Sequence, residues 1–283
     1  MPNIQFLGSS STEILPGKPV LLGCPLDLTA TFRSGSDLAP EAIRIASDSI
    51  ETYSPLLDMD LLDVEFIDAG DADVSGSSVG KALDSIEKTA AELLRKGARL
   101  VTLGGEHTIT LPLIKALERI HPDIVLLHAD AHTDLRDQYE GSSLNHATVI
   151  KRITEIIGPR RLIQMGIRSG TREEFSWMRE NGTLMKWDSS SSRELYRRID
   201  GRPLYFTLDL DVLDPACLHA TGNPEPGGWF YQDMERLFEL LLETRMVAAD
   251  VVELNPKLDP SQMGAITASK IVRELLLIVG QNR

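Results

Sequence analysis

The chain predicts an α/β fold, because short apolar segments alternate along it with longer segments of helical periodicity. Several short segments are apolar along nearly their whole length, such as Val-Leu-Leu at 20–22, Ile-Val-Leu-Leu at 124–127 and Tyr-Phe-Thr-Leu at 205–208. Strands of this kind are typical of a parallel sheet that is covered on both faces. No repeat, low-complexity segment or Pro/Gly-rich linker divides the sequence, so we expect one domain over residues 1–283.

This alternation predicts eight strands with helices between them. The strands are predicted at residues 19–23, 64–69, 99–103, 124–128, 162–166, 183–187, 204–208 and 247–253. Helices over 79–96 and 262–279 each present an apolar face at helical spacing. Eight such units fit either a doubly wound open sheet or a closed barrel, and periodicity does not separate the two. In both architectures the functional residues gather at the carboxyl ends of the strands.

Composition and charge argue against several classes of function. The 283 residues include 29 Lys plus Arg and 42 Asp plus Glu, a formal net charge of −13, and the sequence pI is about 4.9. Nucleic-acid binding needs concentrated positive charge, so nucleic acid is not expected as a partner, and a small cationic ligand suits the chain better. An apolar fraction of 42% and a charged fraction of 25% are typical of a globular protein.

Membrane insertion, export and a disulfide framework are not expected. The longest apolar runs, such as 275–279, fall far short of the roughly 20 residues that span a bilayer, and the first residues lack a signal-peptide pattern. Cys24 and Cys217 are too few for a disulfide framework and lack the spacing of metal ligands. We therefore expect buried thiols in a reducing compartment and a cytoplasmic protein.

Histidines and carboxylates follow four of the predicted strands, at the point where each strand ends. In chain order they are His107 after the third strand, Asp130, His132 and Asp134 after the fourth, Asp209 and Asp211 after the seventh, and Glu253 after the eighth. The carboxyl ends of parallel strands meet at one edge of a sheet, where ligands bind. We therefore expect these side chains to share one cleft.

Six of these residues form a candidate metal centre, namely His107, Asp130, His132, Asp134, Asp209 and Asp211. Four carboxylates in one cleft repel one another and cannot all stay ionised without cations. Two divalent metal ions would balance the four negative charges, and six side chains suffice to hold them if two carboxylates bridge the ions. Two metal ions held about 3.5–4 Å apart make hydroxide available near neutral pH. Histidine and carboxylate ligands without a thiolate suit Mn(II), although zinc or nickel can bind more tightly. The pattern predicts a two-metal hydrolase.

Each of the three metal motifs has a simpler interpretation when it is taken alone. Asp209 and Asp211 fit an ordinary polar strand end, the alternating residues 130–134 fit a solvated loop, and His107 fits a helix cap. Their coincidence at neighbouring strand ends is what favours metal binding.

The other histidines are weaker ligand candidates. His121 and His219 are expected in solvated positions, and His128 is expected to be a hydrogen-bonded core residue. His146, which follows Asp134 by twelve residues, is a candidate proton shuttle because a loop histidine near the cleft titrates close to neutral pH.

The motifs GGEH at 104–107, DAHTD at 130–134 and DLDVLDP at 209–215, in this order, resemble the ureohydrolases, the family of arginase and agmatinase. Further similarity lies at 23–27, 35–44, 68–71 and 220–228. The resemblance therefore covers nearly the whole chain, from about residue 20 to about residue 270.

The resemblance implies a role for each matched residue. One manganese ion would be held by His107, Asp130, Asp134 and Asp209, and a second by Asp130, His132, Asp209 and Asp211. Asp130 and Asp209 would bridge the ions, and Asp134 would orient the attacking hydroxide. His146 would be the family's loop histidine, and Glu253 would hold the guanidinium of the substrate.

The resemblance also implies an architecture and an assembly. The fold would be the arginase-like three-layer α/β/α sandwich around an eight-stranded parallel sheet, which favours the open sheet over the barrel. The chains would assemble as a homo-oligomer, a trimer or a hexamer.

Within the family, the sequence most resembles agmatinase. Arg136 stands two residues after the DAHTD motif, where arginases have an asparagine that reads the amino-acid carboxylate. Asn223 and Trp229 depart from the common pattern at positions expected near the substrate. Asn223 and Glu225 are the candidate substrate-binding residues beyond His146 and Glu253, and Asp137 is an alternative to Glu225 for the distal amine.

The hypothesis from the sequence is a Mn(II)-dependent amidinohydrolase that converts agmatine to putrescine and urea. The same reaction on aminopropylagmatine, guanidinobutyrate or arginine is the nearest alternative. A single-zinc deacetylase and an inactive, metal-stabilised regulator are more distant ones. The presence of His146 and Glu253 counts against the inactive regulator, because catalysis would need these residues and metal binding would not.

Overall fold

The computed structural model describes residues 4–10, 13–75, 78–188 and 191–281. Within them the strands are β1 Pro19–Cys24, β2 Tyr53–Ser54, β3 Met59–Asp60, β4 Ile67–Asp71, β5 Arg99–Gly104, β6 Val125–Ala129, β7 Leu162–Met165, β8 Leu204–Asp209 and β9 Met246–Val252. Strands β2 and β3 form a small antiparallel hairpin. The other strands form one parallel sheet in the order β4-β1-β5-β9-β8-β6-β7, so the sheet is open rather than a barrel.

Helices cover both faces of this sheet. They are α1 Ala39–Ser47, α2 Val79–Arg95, α3 Thr110–Glu118, α4 Val149–Ile157, α5 Arg172–Asn181, α6 Ser191–Ile199, α7 Tyr231–Leu242 and α8 Met263–Gly280. Apolar residues of α1, α6, α7 and α8 pack into one core layer, and those of α2, α3, α4 and α5 pack into another. The result is an α/β/α sandwich. Among the described helices, none combines the length and apolar character that a membrane span requires.

The strands are apolar on both faces because each face has its own core layer. In β1, Leu21 belongs to the layer of α1 and α8, whereas Val20 and Leu22 belong to the layer of α2 and α3. All three side chains are at most 1% exposed. This alternation accounts for the uninterrupted apolar runs in the sequence.

The register of the four central strands brings their carboxyl ends level. Ala129 of β6 pairs with Leu208 of β8, Leu208 pairs with Val251 of β9, and Val251 pairs with Leu103 of β5. The residues that directly follow these paired positions in the chain therefore lie at the same edge of the sheet.

The sheet has seven strands, so the expectation of eight is not confirmed. The predicted strand at 183–187 runs beside β7, but Leu184 forms only an isolated bridge with Gln164. At the end of this segment the Trp187 ring packs against Trp229, with ring centroids 5.4 Å apart. The Trp187 indole also donates a hydrogen bond to Asp233 of α7 at 3.2 Å.

A buried ion pair joins α1 to β4 at the edge of the sheet. The Arg44 guanidinium donates to both carboxylate oxygens of Asp68, at 2.8 and 2.9 Å, and to Asp71 at 2.6 Å. Arg44 and Asp68 are each 4% exposed. Because the bond to Asp68 is bidentate, it fixes the orientation of the helix on the strand.

We expect Arg44→Met to lower the free energy of unfolding by about 3–5 kcal/mol, since it leaves the Asp68 carboxylate buried without its partner. Chemical denaturation measures this loss. The matched control is Arg119→Met, which removes an arginine that is 62% exposed and paired with Glu87. A surface pair of that kind contributes about 0–1 kcal/mol. Equal losses in the two variants would contradict the structural role of the buried pair.

Candidate active site

A cavity of about 270 Å³ opens at the carboxyl edge of the sheet. Five of the six predicted metal ligands line it, namely His107, His132, Asp134, Asp209 and Asp211. The sixth, Asp130, is 0% exposed and lies beneath them. The structure thus brings together all six side chains that the sequence assigned to a metal centre.

His107 forms the first half of the cluster. Its Nδ1 atom lies 3.2 Å from Asp130 Oδ2, 3.2 Å from Asp134 Oδ2 and 3.4 Å from Asp209 Oδ2. Burial opposes the charged ring, but the three carboxylates outweigh it and raise the pKa of His107 well above its ordinary value. One ring nitrogen therefore faces three acidic oxygens in a buried site.

Hydrogen bonds beneath His107 fix the direction of its ring. The His107 Nε2 atom lies 2.9 Å from Thr207 Oγ1, and Thr207 donates its own proton to Asp250 at 2.6 Å. Tyr205 and Thr110 also donate to Asp250, at 2.5 and 2.9 Å. Because Thr207 has already given its proton to Asp250, it accepts one from His107 Nε2. When the ring is neutral, as a metal ligand must be, its lone pair is therefore at Nδ1.

This arrangement fits a metal ion. His107 Nδ1 is buried and, within the described residues, lacks a hydrogen-bond partner of good geometry. A lone pair directed at three carboxylate oxygens is repulsive unless a cation lies between them. The donors are nitrogen and oxygen atoms without a thiolate, which suits a divalent metal ion.

His132 forms the second half of the cluster. Its Nδ1 atom lies 2.8 Å from Asp211 Oδ2 and 3.6 Å from Asp130 Oδ1. Burial opposes the charged ring, but Asp211 and Asp130 together raise the pKa of His132 to about 12. Asp130 contacts His107 through one oxygen and His132 through the other, so its carboxylate spans both halves.

The aspartates repel one another in the absence of a cation. Burial, with Asp211 and Asp130 close by, raises the pKa of Asp209 well above its ordinary value. Burial and Asp130 likewise raise the pKa of Asp211. Backbone groups orient both side chains, because Asp209 Oδ1 accepts a hydrogen bond from Asp211 N at 2.9 Å and Asp211 Oδ1 accepts one from Ala131 N at 3.1 Å.

His128 supports the cluster from below. It is 0% exposed, its Nε2 atom lies 2.7 Å from Asp130 Oδ2, and its Nδ1 atom lies 3.3 Å from Gln164 Nε2. It is therefore the hydrogen-bonded core residue that the sequence predicted, and it orients Asp130 as outer partners orient ligands in metal sites.

Two of the acidic residues adopt left-handed backbone conformations, Asp134 with a φ of 52° and Glu253 with a φ of 67°. Such conformations are uncommon for non-glycine residues and cluster at functional sites. Glu253 directly follows β9, Asp134 lies in the loop after β6, and both line the cavity.

Glu253 lines the cavity beside the metal cluster. Its Oε1 atom accepts a hydrogen bond from His107 N at 2.7 Å, and its own N–H donates to Gly105 O at 2.8 Å. Burial and the nearby Glu106 raise the pKa of Glu253 to about 8, although the bond from His107 opposes the shift. A carboxyl group of this kind is poised to ionise beside a cation.

His146 and Asn223 also line the cavity, whereas two other predicted residues do not. His146 begins a 3-10 turn that Asn145 caps, and its ring packs edge-on against Tyr139 with centroids 6.0 Å apart. Glu225 lies outside the cavity lining, and its carbonyl accepts hydrogen bonds from Arg168. Trp229 is a core residue that is 8% exposed.

Glu174 is a cavity residue that the sequence did not reveal. It is 7% exposed, and its Oε2 atom accepts a hydrogen bond from Thr171 N at 2.6 Å. Thr171 and Glu174 form a capping box at the start of α5. In the sequence this Thr-x-x-Glu spacing indicates only a helix start. Its place in the cavity depends on the loop after β7, which no local pattern predicts.

The fold and the cavity together define a class of α/β enzyme with a histidine–aspartate metal cluster at the carboxyl edge of its sheet. A family model described as the arginase family matches residues 18–278. The chain belongs to the arginase family, and the resemblance drawn from its motifs is confirmed.

Individual relatives agree over most of their length. The agmatinase of Bacillus subtilis (strain 168) is 42% identical over 262 residues, which cover 91% of this chain and 90% of that protein. The guanidinobutyrase of Pseudomonas aeruginosa is 29% identical over 292 residues, 99% of this chain and 90% of that protein. The crystal structure of the agmatine ureohydrolase of Thermoplasma volcanium has a TM-score of 0.86 at 28% identity and covers 98% of this chain and 94% of that one.

We expect the wild-type protein to hold two manganese ions per chain after loading and desalting, because four buried carboxylates need that charge. Asp130→Asn should lose both ions, since Asp130 contacts both halves of the cluster, whereas Asp211→Asn should mainly weaken the half that contains His132. Elemental analysis measures the number of manganese ions per chain in the wild-type protein and in each variant.

The matched control for metal content is Asp214→Asn. Asp214 belongs to the same strand-end motif but bonds the backbone of Ala216, Gly227 and Gly228, so both ions should remain. A ratio near one metal ion per chain in the fully active wild-type protein would rule out a two-ion centre.

Proposed function

We propose that this agmatinase-type ureohydrolase acts on agmatine, which it hydrolyses to putrescine and urea with two manganese ions. The observation that carries the proposal is the distribution of acid groups in the cavity. Its lining includes Asp134, Asp209 and Asp211 of the metal cluster and two further carboxylates, Glu253 and Glu174. Agmatine has two cationic ends, a guanidinium and an ammonium, and the cavity offers one carboxylate for each.

The metal centre would be formed by the six residues of the cluster. His107, Asp130, Asp134 and Asp209 would hold one ion, and Asp130, His132, Asp209 and Asp211 the other. When bound, the ions supply Lewis-acid stabilisation of the developing negative charge and lower the pKa of water. The absence of thiolates from this ligand set favours manganese as the ion.

Glu253 would bind the guanidinium end. A guanidinium pairs with a carboxylate through two parallel hydrogen bonds, which fixes its plane. Its positive charge also favours the ionised form of Glu253, whose pKa of about 8 would otherwise leave it mostly protonated near neutral pH. Substrate binding and ionisation of Glu253 would therefore be coupled.

Asp134 and His146 would transfer protons between the attacking water and the leaving nitrogen. Hydrolysis adds water to the guanidinium carbon, and the leaving nitrogen must gain hydrogen before it departs as an amine. Asp134 faces the cavity next to the cluster and would accept a proton from the attacking water. His146, on the cavity wall, would deliver a proton to the leaving amine.

Glu174 would bind the ammonium end, a role that the sequence had suggested for Glu225 or Asp137. Glu225 is not part of the cavity lining. The Asp137 side chain is 81% exposed and pairs with Lys151 and Arg152. Glu174 is buried at the wall of the cavity, where an unsolvated charge pair is strongest.

One observation favours guanidinobutyrate as a second candidate substrate. Arg136 lines the cavity, with its guanidinium 4.7 Å from the centroid of the Tyr139 ring. An arginine in this place can pair with a substrate carboxylate. The similarity to the Pseudomonas aeruginosa guanidinobutyrase is consistent with this alternative.

The cellular setting is part of the proposal. Putrescine as the product places the reaction in polyamine formation, and the family resemblance implies a homo-oligomer, a trimer or hexamer. Cys24 and Cys217 are free thiols, which is consistent with a reducing, cytoplasmic compartment. The small cationic guanidino compound would be the principal partner.

We expect Glu253→Gln to lower kcat/KM by a factor on the order of 10²–10³, because losing one partner of a desolvated charge pair costs about 3–5 kcal/mol. Glutamine keeps the shape and removes the charge. Metal content should stay at the wild-type level, since the six ligands are intact. Activity within about threefold of wild type would remove Glu253 from the mechanism.

We expect kcat/KM to be higher for agmatine than for arginine or guanidinobutyrate, and steady-state kinetics on the three compounds measure this preference.

We expect Glu174→Gln to lower kcat/KM for agmatine about 10- to 150-fold. This factor is equivalent to about 1.5–3 kcal/mol, the contribution of a hydrogen bond to a charged group. The same variant should not impair guanidinobutyrate, which lacks the ammonium.

The matched control for Glu174 is Glu225→Gln, which makes the same change outside the cavity and should leave both substrates unaffected. A higher kcat/KM for guanidinobutyrate than for agmatine, with Arg136→Gln abolishing that preference, would establish the second candidate substrate instead.

A further inference from the structure

Glu106 is a buried carboxylate that neither the metal cluster nor the proposed substrate contacts use. It directly precedes His107 and is 1% exposed. Its Oε2 atom accepts hydrogen bonds from Leu28 N at 2.9 Å and Thr29 N at 2.7 Å, and its Oε1 atom accepts one from Thr29 Oγ1 at 2.9 Å. Both carboxylate oxygens are thus committed to one short loop.

That loop is packed tightly against the start of the metal motif. A Cβ atom added at Gly105 would lie 2.0 Å from Leu26 O, so the two backbones touch. Gly105 N donates to Cys24 O at 2.9 Å, and Glu106 N donates to Leu26 O at 2.8 Å. Thr29 therefore has a fixed position relative to the cluster.

The Thr29 hydroxyl also contacts the proposed proton donor. Thr29 Oγ1 lies 3.2 Å from His146 Nδ1 and accepts a hydrogen bond from His146 N at 3.2 Å. The Thr108 hydroxyl is a more distant neighbour, 3.5 Å from Thr29 Oγ1. The chain Glu106–Thr29–His146 links a buried carboxylate to a cavity histidine through one hydroxyl group.

The direction of these hydrogen bonds determines the protonation of the ring. A hydroxyl has a single hydrogen, and Thr29 Oγ1 donates it to Glu106 Oε1 at 2.9 Å. Toward His146 the Thr29 oxygen is then an acceptor, and the ring must carry its hydrogen at Nδ1. The lone pair of the neutral ring is therefore at Nε2.

We propose that Thr29 and Glu106 are positioning residues that hold His146 in the Nδ1–H tautomer, so that Nε2 is the atom that exchanges protons in the cavity. This inference rests on the proposed function, in which His146 protonates the leaving amine. In the absence of such partners neutral histidine is a mixture of two tautomers, and only one of them presents a proton acceptor on a given side.

The proton balance of the reaction shows what this orientation achieves. A guanidinium cation and one water give urea and the ammonium form of the amine, so the carbon–nitrogen bond breaks and the leaving nitrogen gains both hydrogens of the water. Asp134 would take up one of these hydrogens as the water attacks and transfer it to the leaving nitrogen. His146 Nε2 takes up the other and passes it to the same nitrogen, which returns the ring to its neutral form. The Nδ1–H bond to Thr29 is kept throughout.

The first test is a double-mutant cycle between Thr29 and His146. Thr29→Val removes the hydroxyl at nearly constant shape and should lower kcat for agmatine about 10- to 100-fold, with KM nearly unchanged. This loss is smaller than the 10²- to 10⁴-fold rate contribution of a complete general acid or base, because His146 itself is kept. Thr29→Ser keeps the hydroxyl and should stay within about threefold of wild type. In a His146→Asn background, Thr29→Val should have no further effect.

A matched control separates this effect from a general disturbance of the loop. Thr31→Val makes the same chemical change two residues further along, at another cavity position. Any effect of Thr31→Val should persist in the His146→Asn background. If Thr29→Val also lowers kcat by the same factor in both backgrounds, Thr29 does not act through His146 and the proposal is overturned.

The second test observes the tautomer directly and needs no substrate. In protein labelled with ¹⁵N-histidine and loaded with diamagnetic zinc, the His146 nitrogens should show hydrogen at Nδ1 and a bare Nε2. Thr29→Val should shift the ring toward the Nε2–H form. A wild-type spectrum with hydrogen at Nε2 would overturn the proposal even if agmatine is the substrate. A protein inactive on every guanidino compound would refute the function and leave the tautomer test intact.

Discussion

The mutual repulsion of four buried aspartates is the constraint on which the rest of the structure depends. Asp130, Asp134, Asp209 and Asp211 are at most 7% exposed, and without cations their burial is costly. The carboxylates outweigh burial and raise the pKa of the neighbouring His107 and His132, which favours protons at the cluster wherever cations do not balance its charge. The sheet and its loops must hold these groups together against that repulsion.

The parallel sheet provides the rigidity that this requires. The ends of β5, β9, β8 and β6 are level, so each acidic residue starts from a backbone that is hydrogen-bonded on both sides. Below the cluster, the hydroxyl of Thr207 and the carboxylate of Asp250 fix the His107 ring. Glu253 and Glu174 line the same cavity and lie outside the set of six proposed metal ligands. In the proposed function, the same scaffold therefore assigns metal binding and substrate recognition to different residues.

Much of this could be predicted because the relevant signals are local in sequence. Strands that are apolar on both faces predicted the parallel sheet, and the position of Asp130 and Asp209 directly after such strands predicted their meeting. Features set by tertiary packing were not predictable. The segment at 183–187 has the sequence pattern of a strand, yet it forms only an isolated bridge with β7, and its Trp187 packs on Trp229, far along the chain. Glu174 appeared only as a helix-capping residue.

The most direct test of the account is whether manganese displaces protons from the cluster. Calorimetric titration of the metal-free protein, in two buffers of different ionisation enthalpy at the same pH, measures ions bound and protons released together. Because His107, His132 and Asp209 have raised pKa values without metal, we expect two ions to bind with net release of protons, and the affinity to fall as the pH is lowered. Binding of a single ion, or binding heats that do not depend on the buffer, would contradict the central claim that this cluster is built around two divalent cations.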